Sequence, residues 1–368
     1  MKSIKYVGLI ILIGIFSQSS AQETDSLDIM IGQMIMVGFH GQDVSSHPTL
    51  LSDIKNGYVG GVILYEKNID PKQPWIKLKR EIEEMQLNAS IPLWVSIDQE
   101  GGKVNRLKTK YGFPPSVSAA YLGKINNLDT TRFYADLTAS TLKGLGINVN
   151  FTPDVDLAIN PDNPIIAGKE RSYSIDPQVV VAHAEVVVKA HQNLGIVTSL
   201  KHFPGHGSST NDTHLGMADV TKSWQESELE PYRVLVERDA LDAVMTAHIV
   251  NRNLDEKGYP ATLSQKIVQG ILRDNFKFNG VVFSDDMHMR AISDNYGLKK
   301  ALSLSINAGL DVLLFSNNIN NITKSKDSES EKVHRFIREL IEEGEVSETR
   351  IRESYYRIIT LKKKYIFN

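Results

Sequence analysis

Short, unbroken runs of apolar residues recur along the chain at the length of a β-strand. Continuous apolar runs, unlike alternating ones, are typical of parallel strands that are buried on both faces of a sheet. Eight such runs follow one another: Met34–Phe39, Gly61–Tyr65, Leu93–Ile97, Ile147–Thr152, Val197–Leu200, Ala243–Ala247, Val281–Ser284 and Val312–Phe315. The pattern therefore predicts eight parallel strands.

Helical patterns separate several of these runs. Asp176 and Pro177 have the form of a cap and a first-turn proline, and Gly195 is a stop signal. The valine-rich stretch 179–190 between them has the length of a helix rather than of a strand. Ser264 caps a second amphipathic segment. This alternation of strands and helices predicts a parallel α/β fold.

Eight strand–helix units fit a single-domain (β/α)8 barrel of the TIM type, which typically takes about 250 residues. An open doubly wound sheet is the alternative. Neither G-x-G-x-x-G nor G-x-x-x-x-G-K-[ST] follows a strand, which weakens the nucleotide-binding forms of that alternative. After the last strand, the polar residues 316–331 predict a surface linker, and 332–345 and 347–364 predict two closing helices.

The first residues have the pattern of a secretory signal peptide. Lys2 and Lys5 precede an apolar run of 11 residues, 6–16, and small residues then lead to Ala21. Eleven apolar residues are too few to anchor the chain across a bilayer. We therefore expect cleavage after Ala21, a mature domain over 22–368, and export to a bacterial periplasm or secretion, without membrane attachment.

The composition narrows the classes of function. Hydrophobic residues make up 41% and charged residues 23% of the 368-residue chain, which is typical of a globular protein. The formal net charge of −3 gives no basic excess for a nucleic-acid partner. The absence of cysteine excludes disulfides, thiolate metal sites and a cysteine nucleophile.

Polar residues cluster directly after the apolar runs, where barrel enzymes carry their active sites. In chain order these residues are Asp98–Gly102, Asp154, Asp156, Lys169–Ser172, Lys201–Gly207, Asp212–His214, His248, Asp285 and Asp286. Each one has a plainer interpretation as a helix cap or loop residue, and His248 as a structural histidine. Five strand ends with carboxylates, histidines and cations together favour an active site.

These residue types suit glycoside hydrolysis, which needs a carboxylate beside the anomeric carbon and a proton donor at the leaving oxygen. Asp285 can supply the carboxylate. Asp212 and His214 lie two residues apart on a glycine-containing loop, where the aspartate can orient a donor imidazole; a simple loop turn is the alternative. A zinc site is also open, because His202, His206, Asp212 and His214 lie within 13 residues.

Four motifs, in this order, resemble glycoside hydrolase family 3 in its β-N-acetylhexosaminidase branch. They are D-x-E-G-G at Asp98–Gly102, R-S-[FY] at Arg171–Tyr173, K-H-F-P-G-H-G and D-[ST]-H within Lys201–His214, and S-D-D-[LM]-x-M at Ser284–Met289. The resemblance runs from residue 27 to residue 316. It departs from the family at Ser208, where an aspartate is common, and at Lys103, where an arginine is common.

The resemblance implies a retaining reaction through a glycosyl-enzyme ester. Asp285 would be the nucleophile, His214 the general acid/base and Asp212 its partner. The residues that would hold the hydroxyls of the terminal sugar are Asp98, Arg171, Lys201 and His202. The resemblance implies no metal and no cofactor.

The implied activity is removal of terminal, non-reducing β-linked N-acetylglucosamine, from peptidoglycan fragments, by a monomer. Within the family, a β-glucosidase, a broader glycosidase and a phosphorylase stay open, since a neutral imidazole tolerates an anionic acceptor such as phosphate better than a carboxylate does. A non-catalytic sugar-binding barrel would also explain the polar strand ends, but not the Asp-x-His loop.

Overall fold

The computed structural model describes residues 26–213, 216–317 and 328–367. The predicted signal peptide, His214 and most of the predicted linker lie outside these residues. Eight parallel strands form a closed barrel. Their bounds are β1 Ile35–Gly38, β2 Gly61–Leu64, β3 Trp94–Ile97, β4 Val149–Asn150, β5 Val197–Phe203, β6 Ala243–Thr246, β7 Val281–Asp286 and β8 Val312–Phe315. All eight predicted strands are confirmed.

The barrel closes because β1 pairs along both of its edges. It is in parallel register with β2 at Met36 and Gly61, and with β8 at Ile35 and Leu313. A sheet without free edges excludes the open doubly wound alternative, so the predicted (β/α)8 architecture is confirmed. Nearly all barrel-strand residues are buried, which explains why the strands have continuous apolar sequences.

Helices surround the barrel and continue beyond its last strand. In the described part of the chain they are α1 Leu27–Gln33, α2 Pro48–Lys55, α3 Pro74–Asn88, α4 Ala119–Ile125, α5 Leu128–Leu145, α6 Pro177–Gln192, α7 Glu230–Glu237, α8 Arg290–Tyr296, α9 Leu298–Ala308, α10 Glu329–Glu342 and α11 Glu348–Tyr365. In this part of the chain, none of them is both long and apolar enough to cross a bilayer.

Two of the predicted helices begin at the capping residues that the sequence indicated. The valine-rich stretch forms α6, whose first turn is capped by Asp176 accepting a hydrogen bond from the N–H of Gln178 at 2.9 Å. The segment after Ser264 is also helical, but over Lys266–Asn275 its backbone bonds follow the π pattern. The Ser264 hydroxyl accepts the N–H of Ile267 at 3.2 Å. The sequence predicted the helix but not its hydrogen-bond spacing.

The two closing helices pack against the barrel. Their observed bounds, those of α10 and α11, agree with the predicted 332–345 and 347–364 within a few residues. Arg350 and Arg357 of α11 lie 3.0 and 3.2 Å from the buried carboxylate of Asp311, which directly precedes β8. This contact fixes the last helix against the barrel wall.

A small second sheet was not predicted. Ala218–Asp219 pairs in parallel with Ile249–Val250, and a small apolar cluster that includes Ala247 supports the pair. Strands of two residues are too short to show a hydrophobic period. The sheet joins the loop after β5 to the loop after β6 at the carboxyl end of the barrel, where the candidate active site lies.

Candidate active site

Alternate strands of the barrel bring the candidate catalytic residues to one end. Asp98 directly follows β3, Lys201 and His202 lie near the end of β5, and Asp285 lies near the end of β7. Alternate strands of such a barrel point their inward side chains into the same layer. The predicted convergence of these strand ends is therefore built into the topology.

Lys201 and Asp98 form an ion pair in the mouth of the barrel. The Lys201 ammonium, on a side chain 2% exposed, lies 2.8 Å from Asp98 Oδ1 and 2.7 Å from Glu100 Oε1. Burial opposes these charges, but the two carboxylates raise the pKa of Lys201, and Lys201 and Arg106 lower the pKa of Asp98. Both members of the pair therefore stay charged at neutral pH.

Arg171 joins the same network from the loop after β4. Its Nε and Nη2 atoms donate to the two carboxylate oxygens of Glu100 at 2.9 and 2.8 Å, a bidentate pair. Burial opposes ionisation of Glu100, but the charges of Arg171 and Lys201 lower its pKa to about 2. The Arg171 side chain is therefore fixed by a charged partner before any substrate binds.

His202 is held in one ring orientation by its two neighbours. Arg171 Nη2 lies 3.1 Å from His202 Nε2, and because arginine can only donate, Nε2 is the acceptor. The ring proton then lies on Nδ1, 2.7 Å from Asp156 Oδ2. Asp156 Oδ1 also accepts the N–H of His206 at 2.7 Å. Asp156 thus positions both the histidine and the start of the loop after β5.

Asp154, Asp156 and His202 form a group that has the ligand spacing of a metal site. Their candidate ligand atoms all lie within 4.8 Å of one another. Burial, and then the charge of Asp156, raise the pKa of Asp154 well above its usual value. Arg171 Nε already lies 3.1 Å from Asp154 Oδ2 and places a positive charge beside the group. This guanidinium already supplies a positive charge to the group and opposes the binding of a further cation.

The adjacent acids Asp285 and Asp286 have different surroundings. Asp286 accepts hydrogen bonds from the hydroxyl and the peptide N–H of Ser316, the latter at 3.0 Å, and from the N–H of His288 at 3.1 Å. It thereby ties β7 to the end of β8. Asp285 is partly exposed, and its Oδ1 accepts the N–H of Asp286 at 2.7 Å. These contacts give Asp286 a structural role, and Asp285 stays the predicted nucleophile.

His248 fits its structural interpretation. The buried ring lies 2.8 Å from Thr262 Oγ1 through Nδ1 and 3.0 Å from the carbonyl oxygen of Asp286 through Nε2. Both ring nitrogens are therefore engaged by the protein. His248 thereby supports the end of β7.

The loop after β5 carries the predicted acid/base pair. Its first turn is held by Asn163 Nδ2, which donates to the carbonyl oxygen of His206 at 2.8 Å, and by the His206 ring, 2.6 Å from Ser209 Oγ. Asp212 is partly exposed. His214 lies outside the described residues, so its pairing with Asp212 stays a prediction.

Sequence reasoning left four residues of this site without a role: Glu100, Arg106, Asp154 and Asp156. A signal existed for three of them, because they stand in D-x-E and D-x-D patterns directly after predicted strands. Arg106 stands in a loop without such a pattern, and its Nη2 lies 3.2 Å from Asp98 Oδ2. Its position depends on how that loop folds back over the end of β3.

Fold and site together define a (β/α)8 barrel whose mouth combines a candidate nucleophilic carboxylate with fixed cations, the arrangement of a barrel glycosidase. Residues 26–361 match the glycosyl hydrolase family 3 N terminal domain. The chain belongs to this family, which confirms the resemblance found in its motifs.

Relatives from several bacteria agree with this assignment. The chain is 30% identical to β-hexosaminidase A of Pseudoalteromonas piscicida, over 94% of this chain and 62% of that protein. It is 32% identical to a β-hexosaminidase of Tolumonas auensis, over 75% of this chain and 78% of the relative.

A solved structure is also similar. A glycoside hydrolase family 3 β-N-acetylglucosaminidase from Paenibacillus sp. str. FPU-7 superposes with a TM-score of 0.83 at 32% identity, over 93% of this chain and 63% of that one. The chain therefore spans less than two thirds of both the Pseudoalteromonas and the Paenibacillus proteins.

Proposed function

We propose that this protein is a retaining exo-β-N-acetylhexosaminidase that removes terminal, non-reducing β-linked N-acetylglucosamine. The observation that carries the proposal is the fixed charge cluster of Asp98, Lys201 and Arg171 at the same barrel mouth as Asp285, in a family 3 domain. The names of the relatives, β-hexosaminidase and β-N-acetylglucosaminidase, support the sugar.

The first chemical step forms an ester between enzyme and sugar. A carboxylate oxygen of Asp285 bonds to the anomeric carbon as the bond from that carbon to the leaving oxygen breaks. His214 gives its proton to the leaving oxygen, with Asp212 stabilising the imidazolium before transfer. The aglycone then departs as a neutral alcohol.

The second step releases the sugar with its original anomeric configuration. His214 takes a proton from water, the water oxygen bonds to the anomeric carbon, and the ester bond to Asp285 breaks. Two inversions at the same carbon give net retention. The same histidine therefore serves as acid and then as base.

The charge cluster is already ordered to bind the terminal sugar. Asp98, Arg171, Lys201 and His202 are held by one another and by Glu100 and Asp156. Because their partners fix these side chains in advance, little reorganisation is needed when hydroxyl groups of the sugar displace water there.

A panel of aryl glycosides tests the activity and the sugar preference. We expect turnover of the β-N-acetylglucosaminide well above that of the β-glucoside, with release of the β-anomer seen by NMR. A fluorinated mechanism-based N-acetylglucosaminide should label the peptide that contains Asp285. Labelling of another side chain, or sugar binding without any turnover, would contradict the proposal.

Peptidoglycan fragments are the natural substrate we propose, handled by an exported monomer. The lysines and the apolar run before Ala21 support export. Digestion of purified muropeptides, followed by mass analysis, should show loss of N-acetylglucosamine. Amino-terminal sequencing of the mature protein should begin at Gln22, and its mass in solution should be that of one chain.

One measurement distinguishes hydrolysis from phosphorolysis, the alternative reaction within the same family. Rates with and without inorganic phosphate should be equal for a hydrolase, and the product should be the free sugar. Formation of the sugar 1-phosphate would show that phosphate replaces water in the second step.

A further inference from the structure

The carboxyl group of Glu228 lies against the first turn of the loop that carries Asp212. Glu228 precedes α7 and is 1% exposed. Its Oε2 accepts the N–H of Gly207 at 2.9 Å and that of Ser208 at 3.3 Å. Its Oε1 accepts the N–H of Gln225 at 3.3 Å. Three peptide N–H groups therefore point at the two oxygens of one buried side chain.

The backbone of the loop is shaped to permit this contact. Gly205 has φ of +116°, and a Cβ added there would lie 2.5 Å from the Cβ of Glu228. A Cβ at Gly207 would lie 1.7 Å from the carbonyl oxygen of Leu157. The first turn of the loop is therefore enclosed between the segment after β4 and the segment before α7.

We propose that Glu228 is a positioning residue, whose carboxylate fixes the peptide groups of Gly207 and Ser208 and thereby orients the loop that bears Asp212 and His214. Its effect on catalysis rests on the proposed function, in which these two residues are the acid/base pair. The contact of Glu228 with Gly207 and Ser208 does not depend on that function, because all three residues are described in the structure.

The geometry suits the ionised form of Glu228, whereas burial favours the protonated form. Both carboxylate oxygens accept N–H groups, and an ionised carboxylate accepts such bonds more strongly than a neutral carboxyl group does. Burial raises the pKa of Glu228 to about 7; the side chain of Ser208 and the N–H groups of Gln225 and Ser208 oppose this rise, and the charge of Asp156 adds to it. Tyr232 of α7, whose own pKa is raised well above its usual value, faces the same group and stays neutral. Protonation near neutral pH therefore weakens the hold on the loop.

Replacing Glu228 by glutamine removes the charge and keeps the size. In Glu228→Gln we expect kcat to fall about 10-fold at pH 8, the equivalent of one weakened charged hydrogen bond, with KM within about twofold. We also expect the ionisation near pH 7 to vanish from the acidic limb of the kcat profile. Glu226→Gln, an exposed acid on the same turn, is the matched control and should keep the wild-type profile.

A variant with a shorter carboxylate distinguishes the effect of the negative charge from the effect of side-chain length. Glu228→Asp still ionises but cannot contact both peptide groups, so kcat should fall while an ionisation stays in the acidic limb. Wild-type kcat and pH profiles in both Glu228 variants would overturn the proposal. Thermal unfolding of each variant confirms that the protein assayed is folded.

A spectroscopic readout makes the test independent of turnover. Trp224 Nε1 donates to the carbonyl oxygen of Pro204, beside the first turn of the loop, at 3.2 Å. The chain has three tryptophans, so Trp224→Phe assigns the indole N–H resonance by NMR. This resonance should shift with a midpoint near pH 7 in the wild type and not in Glu228→Gln.

The two readouts distinguish the two hypotheses. A wild-type protein that shows the pH-dependent shift but turns over no glycoside contradicts the proposed function alone. A protein that hydrolyses the glycoside, with no such shift and with the same kcat profile in Glu228→Gln, contradicts the role of Glu228 alone.

Discussion

Asp285 and Asp286 should respond differently to the loss of a single charge, although they are adjacent. Asp285→Asn replaces a nucleophilic oxygen by an amide that cannot form the ester. We expect kcat to fall about 10³-fold or more, with sugar binding and unfolding temperature retained. Kinetics with an aryl N-acetylglucosaminide and calorimetric binding of the free sugar measure both effects.

The matched control for Asp285→Asn is the same substitution at the neighbouring residue, Asp286. Asp286→Asn weakens the bond to Ser316, which ties β7 to the end of β8, and the local bond to His288, so we expect a lower unfolding temperature. Near-normal turnover in Asp285→Asn would remove Asp285 from the mechanism.

The role of His214 is tested by the dependence of rate on the leaving group. His214→Ala should lower kcat/KM by about 10² to 10⁴-fold for alkyl or weakly acidic aryl leaving groups, because these need a proton to depart. For a strongly acidic phenol the loss should be much smaller, since kcat/KM reports the first step. Thr210→Ala, an exposed side chain of the same loop, should behave as the wild type. An equal loss for all leaving groups would argue against proton donation.

At the scale of elements, sequence predicted the features whose signal is local. Each barrel strand is buried on both faces, so its apolar run is visible without knowledge of its partners. The π hydrogen bonding of Lys266–Asn275 and the short pair Ala218–Asp219 with Ile249–Val250 had no such signal. Their form depends on contacts with segments that are distant in sequence.

Some residues of the candidate site could likewise be predicted from local sequence, and others could not. Asp98, Lys201 and Asp285 lie at strand ends, and the barrel topology alone predicts that strand ends converge. The roles of Asp156 and Glu228 depend on which peptide N–H groups the folded loop presents to them. A pattern of residue types can place Asp156 after a strand, but the N–H groups that Asp156 and Glu228 accept are known only from the folded structure.

Helix α11 carries a buried lysine into the amino-terminal end of the barrel. Lys362 Nζ donates to Gln33 Oε1 at 2.7 Å and to the carbonyl oxygen of Gly60 at 2.8 Å, and lies 5.1 Å from the centre of the Trp94 ring. Burial lowers the pKa of Lys362 from 10.5 to about 7. Between these two values the unfolded chain binds more protons than the fold, so stability should rise with pH across this window.

Urea unfolding at pH 7, 8 and 9 measures this dependence. One proton taken up on unfolding corresponds to about 1.4 kcal/mol per pH unit, which is the largest slope that Lys362 can contribute. Lys362→Met should remove this part of the slope. Lys363→Met, an exposed neighbour on the same helix, should keep it. An unchanged slope in Lys362→Met would show that the pKa of Lys362 is not lowered.

At the scale of the whole molecule, one buried carboxylate joins the barrel to its closing helix. Asp311 precedes β8 and is fully buried. Arg273 Nη2 lies 2.6 Å from its Oδ2, and Arg350 and Arg357 of α11 lie 3.0 and 3.2 Å from its Oδ1. Burial opposes the charge of Asp311, but the three guanidinium groups outweigh this effect and lower its pKa. The carboxylate therefore balances cations from two separate elements.

Asp311→Asn tests whether this contact holds the molecule together as one cooperative unit. The amide keeps the shape but removes the buried negative charge that the three guanidinium groups share, which should cost about 3 to 5 kcal/mol of unfolding free energy. The active site lies at the opposite end of the barrel, so KM of the folded variant should be unchanged. Asp294→Asn, an exposed acid on α8, is the control. A single, weaker unfolding transition is expected from urea titration, because β8 and α11 share the lost contact. Two separate transitions would show that the closing helices unfold independently of the barrel.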